Sequence, residues 1–186
     1  MTAFSGNWFQ RRSARRKAAS EAYARLLSHA LAPVHYAASG VPDTFGGRAG
    51  MVTILTSLAC DRISRMGGPE AARLIQRLDE LVLDGFDAAL REKGVGDASI
   101  ARKVRKLAQN HAGLGKALFA ALQDADSHGQ AARIADVLRR NGVVAATRAV
   151  SMATILLGLQ ARLARQSDEE ILHGRFEWIT NTPVQG

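Results

Sequence analysis

The sequence predicts an all-α fold, a single compact domain of about six packed helices. Three observations predict it. Ala and Leu dominate a chain of 186 residues that is 47% apolar but only 5% aromatic, a balance that favours close-packed helices over a β-sandwich. Apolar residues recur at helical spacing through most of the chain, with no sustained strand alternation. Glycine and proline punctuate those stretches at intervals that suit helix–helix corners. A chain of this length buries roughly 70% of its unfolded surface, enough for a core of its own.

The elements follow in order. Residues 1–12 read as a mobile arm in which Phe4, Trp8 and Phe9 precede Arg11 and Arg12, and residues 13–175 read as the helical domain. A first helix starts near Ser13 on the stripe Ala19, Ala22, Tyr23, Leu26, Leu27 and Ala30. Pro33 ends it, because its ring clashes with a continuing helix. The loop Gly40–Gly47 follows. A second helix, Arg48 to Met66, carries Met51, Ile54, Leu55, Leu58 and Ile63. Gly67-Gly68-Pro69 stops it and opens the third, Glu70 to Glu92, whose Leu74, Ile75, Leu78, Leu81, Val82, Phe86, Ala89 and Leu90 make one continuous face. Gly94 and Gly96 end that helix, and Asp97 or Ser99 caps the fourth. The fourth, Ile100 to Asp124, carries Val104, Leu107, Leu114, Leu118 and Leu122. Gly129 and Asn141-Gly142 bracket a shorter helix with Ile134, Val137 and Leu138. The sixth, Val143 to Arg165, buries Met152, Ile155, Leu156, Leu159 and Leu163. Asp168 caps a last turn ending near His173, and residues 176–186 read as an irregular tail.

Composition narrows the function classes. The net charge is +8 and the pI about 10.5, so anionic surfaces attract the chain: RNA, ribosomes or acidic lipid. Cys60 is the one cysteine, which excludes an internal disulfide and a Cys-rich zinc site. No apolar run reaches the roughly 20 residues that a membrane span needs, and no secretory signal is visible.

Chemistry-bearing patterns are few. Glu80, Asp84 and Asp87 share one face of the third helix, but a di-metal bundle site needs two Glu-x-x-His pairs. The chain has one, Glu170 to His173, so the acidic face reads as solvated. His111 falls in line with the apolar stripe of the fourth helix and reads as a packed histidine with a backbone partner rather than a haem ligand or acid–base group. His29, His35, His128 and His173 are scattered. Cys60 reads as a small core residue, because a reactive thiolate needs an accessible, electropositive setting. Neither a metal nor a cofactor is expected, and no catalytic residue.

Basic clusters say more. Arg102, Lys103, Arg105 and Lys106 crowd the start of the fourth helix, against its dipole. Arg11, Arg12, Arg15, Arg16 and Lys17 follow the aromatic residues of the arm, a composition that suits the headgroup layer of an acidic membrane. It suits ribosomal RNA and an organelle-targeting peptide too, and composition does not rank the three.

Two loops carry specific wording: Gly40-Val41-Pro42-Asp43-Thr44-Phe45 with Arg48, and Leu90-Arg91-Glu92-Lys93-Gly94-Val95-Gly96-Asp97. With the lead-in from Ala32-Pro33 to Tyr36 and the basic Arg102–Lys106 segment, in that order and spacing, the chain resembles the ubiquinol–cytochrome c chaperone family over roughly residues 20–125, and more weakly beyond. It departs from the family pattern at Leu55-Thr56, at Ala49-Gly50 and at Asn110-His111-Ala112. The resemblance implies a helical, non-enzymatic assembly chaperone for the cytochrome bc complex. Its client is cytochrome b or another subunit of that complex, and the ribosome, an anionic membrane surface and a small partner subunit are further expected partners. The implied location is the bacterial cytoplasm, peripheral on the inner membrane, with the mitochondrial matrix as the alternative. Val41, Pro42, Asp43, Thr44, Phe45 and Arg48 are the candidate client contacts, because Pro42 and the glycines hold a turn that presents them at low entropic cost. Asp43 or Thr44 as a mere helix cap is the plainer alternative. Gly94–Asp97 reads as a structural corner. The rival functions are an RNA- or ribosome-binding module and a metal- or haem-binding helical enzyme.

Overall fold

The computed structural model describes residues 4–37, 39–94, 96–124 and 127–178. Six long helices carry the fold: α1 (Phe4–Ala30), α3 (Phe45–Ser64), α4 (Gly68–Glu92), α5 (Asp97–Gln123), α6 (Ser127–Arg140) and α7 (Ala149–Leu163). Two short ones, α2 (Val34–Ala37) and α8 (Asp168–Leu172), and a 3₁₀ turn at Ala146–Arg148 complete the set, with no strand among the described residues. The order matches the expectation of an all-α domain. α1 begins well upstream of Ser13, because the helix continues past the end of its apolar stripe. The single turn α2 follows Pro33 directly.

α3 is the centre, packed on α1, α4, α5 and α7. Every residue from Met51 to Ile63 is buried, not only the expected stripe. The sequence permits this because its polar residues bond within their own helix. The hydroxyls of Thr53, Thr56 and Ser57 donate to the carbonyls of Ala49, Val52 and Thr53 at 3.0, 2.8 and 2.9 Å, so no donor is buried unmet. α4 is the opposite case: Leu74, Leu78, Val82, Phe86 and Leu90 are buried on one side of an otherwise exposed helix.

Two buried charges at the end of α3 fasten the C-terminal half. The Arg62 guanidinium donates to the carbonyls of Leu163 and Gln166 at 2.9 and 2.8 Å and to Asp168 Oδ1 at 2.6 Å. It thereby binds carbonyls at and just beyond the C-terminus of α7 and ties down the start of α8. The carboxylate of Asp61, almost fully buried, accepts from Arg65 at 2.9 and 3.1 Å and from Gln160 at 2.9 Å. Ser167, not Asp168, is the N-cap of α8, in a reciprocal capping box with Glu170, since Asp168 is spent on Arg62. α5 starts behind Gly96 with no side-chain cap bond, and the Ser99 hydroxyl donates back to the Gly96 carbonyl at 3.1 Å.

After α8 the chain turns at Gly174, whose φ is +75°. A Cβ there would lie 2.0 Å from the Ala18 carbonyl oxygen of α1. Phe176 and Trp178 follow, outside any helix but buried in the core. The rest of the expected tail, from residue 179, lies outside the described residues.

Candidate functional site

The loop before α3 is built by three local constraints. Thr44 is the N-cap of α3, its Oγ1 accepting from the Gly47 amide at 3.1 Å. The Pro42 carbonyl accepts from the Thr44 amide at 2.8 Å and lies so near Gly47 that a Cβ there would sit 2.0 Å away. Gly40, at φ +75°, receives the Arg148 side chain against its bare Cα, and its carbonyl accepts from Ala145 at 3.1 Å. The chain is thus held in one shape between α2, α3 and the 3₁₀ turn.

These constraints sort the expected contact residues. Val41 is only 2% exposed and belongs to the core, so it shapes the loop and does not face a partner. The Thr44 hydroxyl is used by the cap. Pro42, Asp43 and Arg48 are exposed. Asp43 and Arg48 pair at 2.8 Å, and the Arg48 guanidinium lies 5.1 Å from the centroid of the Tyr36 ring, a cation–π contact. Burial raises the Tyr36 phenol above its ordinary value, with Arg48 opposing and Asp43 reinforcing the shift.

Phe45 leads to a groove of about 600 Å³ between α1, α3 and α4. Its walls are Tyr23 and Leu27 of α1 with Leu31 just after it, Phe45, Ala49 and Val52 of α3, and Phe86, Ala88 and Ala89 of α4, with Arg48, Glu92 and Lys93 at the rim. Gly85 makes room for it: a Cβ there would meet the Tyr23 hydroxyl at 2.0 Å. Lys93 stands 5.4 Å from the Phe45 centroid. The groove is therefore apolar inside and charged only at its lip.

The basic residues fall into separate places. Arg12, Arg15 and Arg16 line a cleft of about 400 Å³ between α1 and α4, where Arg73 and Arg77 join them. Lys17 is exposed on α1, and the Arg11 side chain lies outside the described residues. Arg102, Lys103, Arg105 and Lys106 are solvent-facing on α5.

The candidates for chemistry are accounted for structurally. His111 is held at both ring nitrogens, by Thr53 Oγ1 at 2.9 Å and Asp79 Oδ1 at 3.4 Å; its partners are side chains, not the backbone expected. Burial pushes the Cys60 thiol up to about 12, with Asp79 and Asp61 adding to the effect, so it stays protonated and unreactive. Glu80 binds Arg77 at 2.8 Å, Asp87 binds Arg91 at 2.7 Å, and Glu170 closes the α8 cap. No group of three or more His, Cys, Asp or Glu able to hold a metal occurs among the described residues.

Sequence reasoning missed one cluster. His29 stacks on Trp178 at 5.8 Å and meets His35 edge-on at 5.1 Å, while Trp178 stacks on Phe176 at 5.7 Å. Both His29 nitrogens, His35 Nε2 and Trp178 Nε1 are buried without a hydrogen-bond partner among the described residues. Burial, and secondarily His35, pushes His29 down to about 4, and burial lowers His35 as well. The alternation Phe176-Glu177-Trp178 was the available signal for this docked segment.

The family of ubiquinol–cytochrome C chaperones matches residues 37–178. The chain belongs to the ubiquinol–cytochrome c chaperone family. The match takes in the candidate loop and groove and runs to Trp178, through the C-terminal helices that the sequence resemblance covered only weakly. A crystal structure of the Cbp3 homolog from Brucella abortus superimposes with a TM-score of 0.77 at 28% identity, covering 94% of this chain and 96% of that one. No curated protein matches the chain.

Proposed function

We propose that this member of the ubiquinol–cytochrome c chaperone family holds a membrane-protein subunit of the cytochrome bc complex, cytochrome b, during assembly. The observation that carries the reading is the groove at Phe45: an open, apolar trough of about 600 Å³, walled by three helices, with the Asp43–Arg48 pair and Lys93 at its lip. An apolar client segment is shielded there from water, while the rim meets its polar end. Binding, not bond chemistry, is the work such a site performs. No described helix is long and apolar enough to cross a membrane, so a peripheral position on the inner membrane, in a bacterial cytoplasm, fits this role.

The experiment is capture of cytochrome bc assembly intermediates from native membranes. Leu31→Glu and Ala88→Glu place a charge in the groove at exposed positions, and Arg48→Ala and Asp43→Asn remove the rim pair. Each should capture less cytochrome b while melting within a few degrees of the parent. Normal capture by all four would remove the groove and loop from the reading. A ribosome-binding role is favoured by the solvent-facing cations of α5. It predicts salt-sensitive cosedimentation with ribosomes without lipid, lost on replacing Arg102, Lys103, Arg105 and Lys106.

A further inference from the structure

We propose that the cleft between α1 and α4 is a binding site for the phosphate of an anionic phospholipid headgroup. The inference rests on the reading of the chain as one that works at a membrane, but not on the client groove.

Five guanidinium groups, of Arg12, Arg15, Arg16, Arg73 and Arg77, line a cleft of about 400 Å³ against two carboxylates, Glu70 and Glu80. The carboxylates position the cations without neutralising them. Arg15 grips Glu70 with a fork, Nε to Oε2 at 2.7 Å and Nη2 to Oε1 at 2.8 Å. Arg73 reaches the same carboxylate from α4 at 3.1 Å. Arg77 holds Glu80 at 2.8 Å, and Gln76 shares that acceptor at 3.1 Å. A guanidinium has five N–H donors, and these contacts use one or two from each. Arg16 is exposed and makes no hydrogen bond or ion pair among the described residues. The result is a pre-organised excess of positive charge with spare donors, the arrangement that suits the several acceptor oxygens of a phosphate.

The remaining walls decide between sources of that phosphate. Ala18 and Leu74 lie between the arginines, and Leu172 of α8 stands at the rim 38% exposed. A free phosphate gains nothing from an apolar rim, whereas a headgroup carries acyl chains that do. Among the described residues no aromatic lines the cleft, so none of them offers a base the stacking platform that single-stranded RNA sites use.

The test is cosedimentation of the full chain with client-free vesicles, phosphatidylglycerol in phosphatidylcholine against phosphatidylcholine alone. The chain should partition onto the anionic vesicles only. Arg73→Gln with Arg77→Gln should weaken this roughly 30-fold, at about fivefold per cation removed near an acidic surface. Arg16→Gln, which breaks no contact among the described residues, should weaken it about fivefold with an unchanged melting temperature. Leu172→Ser should weaken vesicle binding but leave any binding of inorganic phosphate unchanged. Three results overturn the proposal: vesicle binding unaffected by these variants, full competition by millimolar inorganic phosphate, or preference for polyuridylate over vesicles. Because no client is present, a failed client capture and a failed lipid site are separate outcomes.

Discussion

α1 and α4 run side by side in the same direction, and the two ends of their seam are unlike. At one end Arg15 meets Glu70 and the gap is the arginine cleft; at the other Tyr23 lies on Gly85 and the gap is the apolar groove. The charged end is joined by ion pairs between half-exposed side chains, each worth about 0–1 kcal/mol. The apolar end is joined by buried rings and aliphatic carbons, at roughly 25 cal/mol per Å² removed from water. One pair of helices thus separates its tasks: burial holds the seam together, and the ion pairs at the charged end contribute little stability, so their cations are free to meet an outside anion.

The largest effect should come from the apolar end. Phe86 is buried, lies behind the groove, and meets His111 edge-on at 5.8 Å. Phe86→Ala should cost about 3–5 kcal/mol, and at about 2–4 °C per kcal/mol for a chain of this size thermal melting will show it plainly. A loss below about 1 kcal/mol would mean that burial does not hold this end.

Next in size is Gly174→Ala, near the charged end. A Cβ at φ +75° is strained, and here it would also strike the Ala18 backbone. A loss on the order of 3 kcal/mol is expected. If the stability of the charged end came from its ion pairs, this uncharged change would matter little; denaturant titration in low and high salt separates the two.

How legible all this is from sequence depends on the kind of contact. α4 writes its buried face as a clean period because its other face meets water. α3 shows only part of its role, because its stripe of Met51, Ile54, Leu55, Leu58 and Ile63 is legible but its Thr and Ser look polar until their hydroxyls are traced to its own carbonyls. The cluster from Arg11 to Lys17 is plain, but Arg73 and Arg77 are not, since they sit among Glu70 and Glu80 at spacings that look self-neutralising. Only the tertiary seam brings them to Arg15. The loop stands out for its wording, yet half of that wording is architecture: Val41 for the core, Thr44 for the cap, Gly47 for the close approach of Pro42.

A third, smaller effect tests the far end of α1, where His29 stacks on Trp178 and meets His35 edge-on. Both histidines titrate below their ordinary value, His29 at about 4. The unfolded chain, with histidine near 6.5, therefore binds more protons than the folded one as pH falls from about 6.5 toward 4. Stability is full above that window and declines through it. The melting temperature should drop by several degrees from pH 7 to pH 4.5, with a change in tryptophan emission as Trp178 leaves His29. His29→Phe should flatten the decline. An equal decline in that variant would place the acid sensitivity elsewhere.

The smallest expected change in stability is also the sharpest test of the comparison. Glu70 is the hub of the charged end, held by Arg15 through a fork and by Arg73. If that end holds the helices together by charge, Glu70→Gln should unfasten it. If its pairs are as weak as their exposure implies, the cost stays within about 1 kcal/mol and the melting temperature moves by no more than about 2–4 °C. The same substitution removes a negative charge from the cleft while the amide oxygen can still accept from Arg15, so binding to anionic vesicles should strengthen, by about fivefold if one charge counts as one cation does. Stability and binding then move in opposite directions from one side chain. A large fall in melting temperature would show that the ion pairs hold the seam, and unchanged vesicle binding would show that the cleft does not face the lipid. The loss of a little stability with a gain in binding is the outcome that only a division of labour along the α1–α4 seam produces.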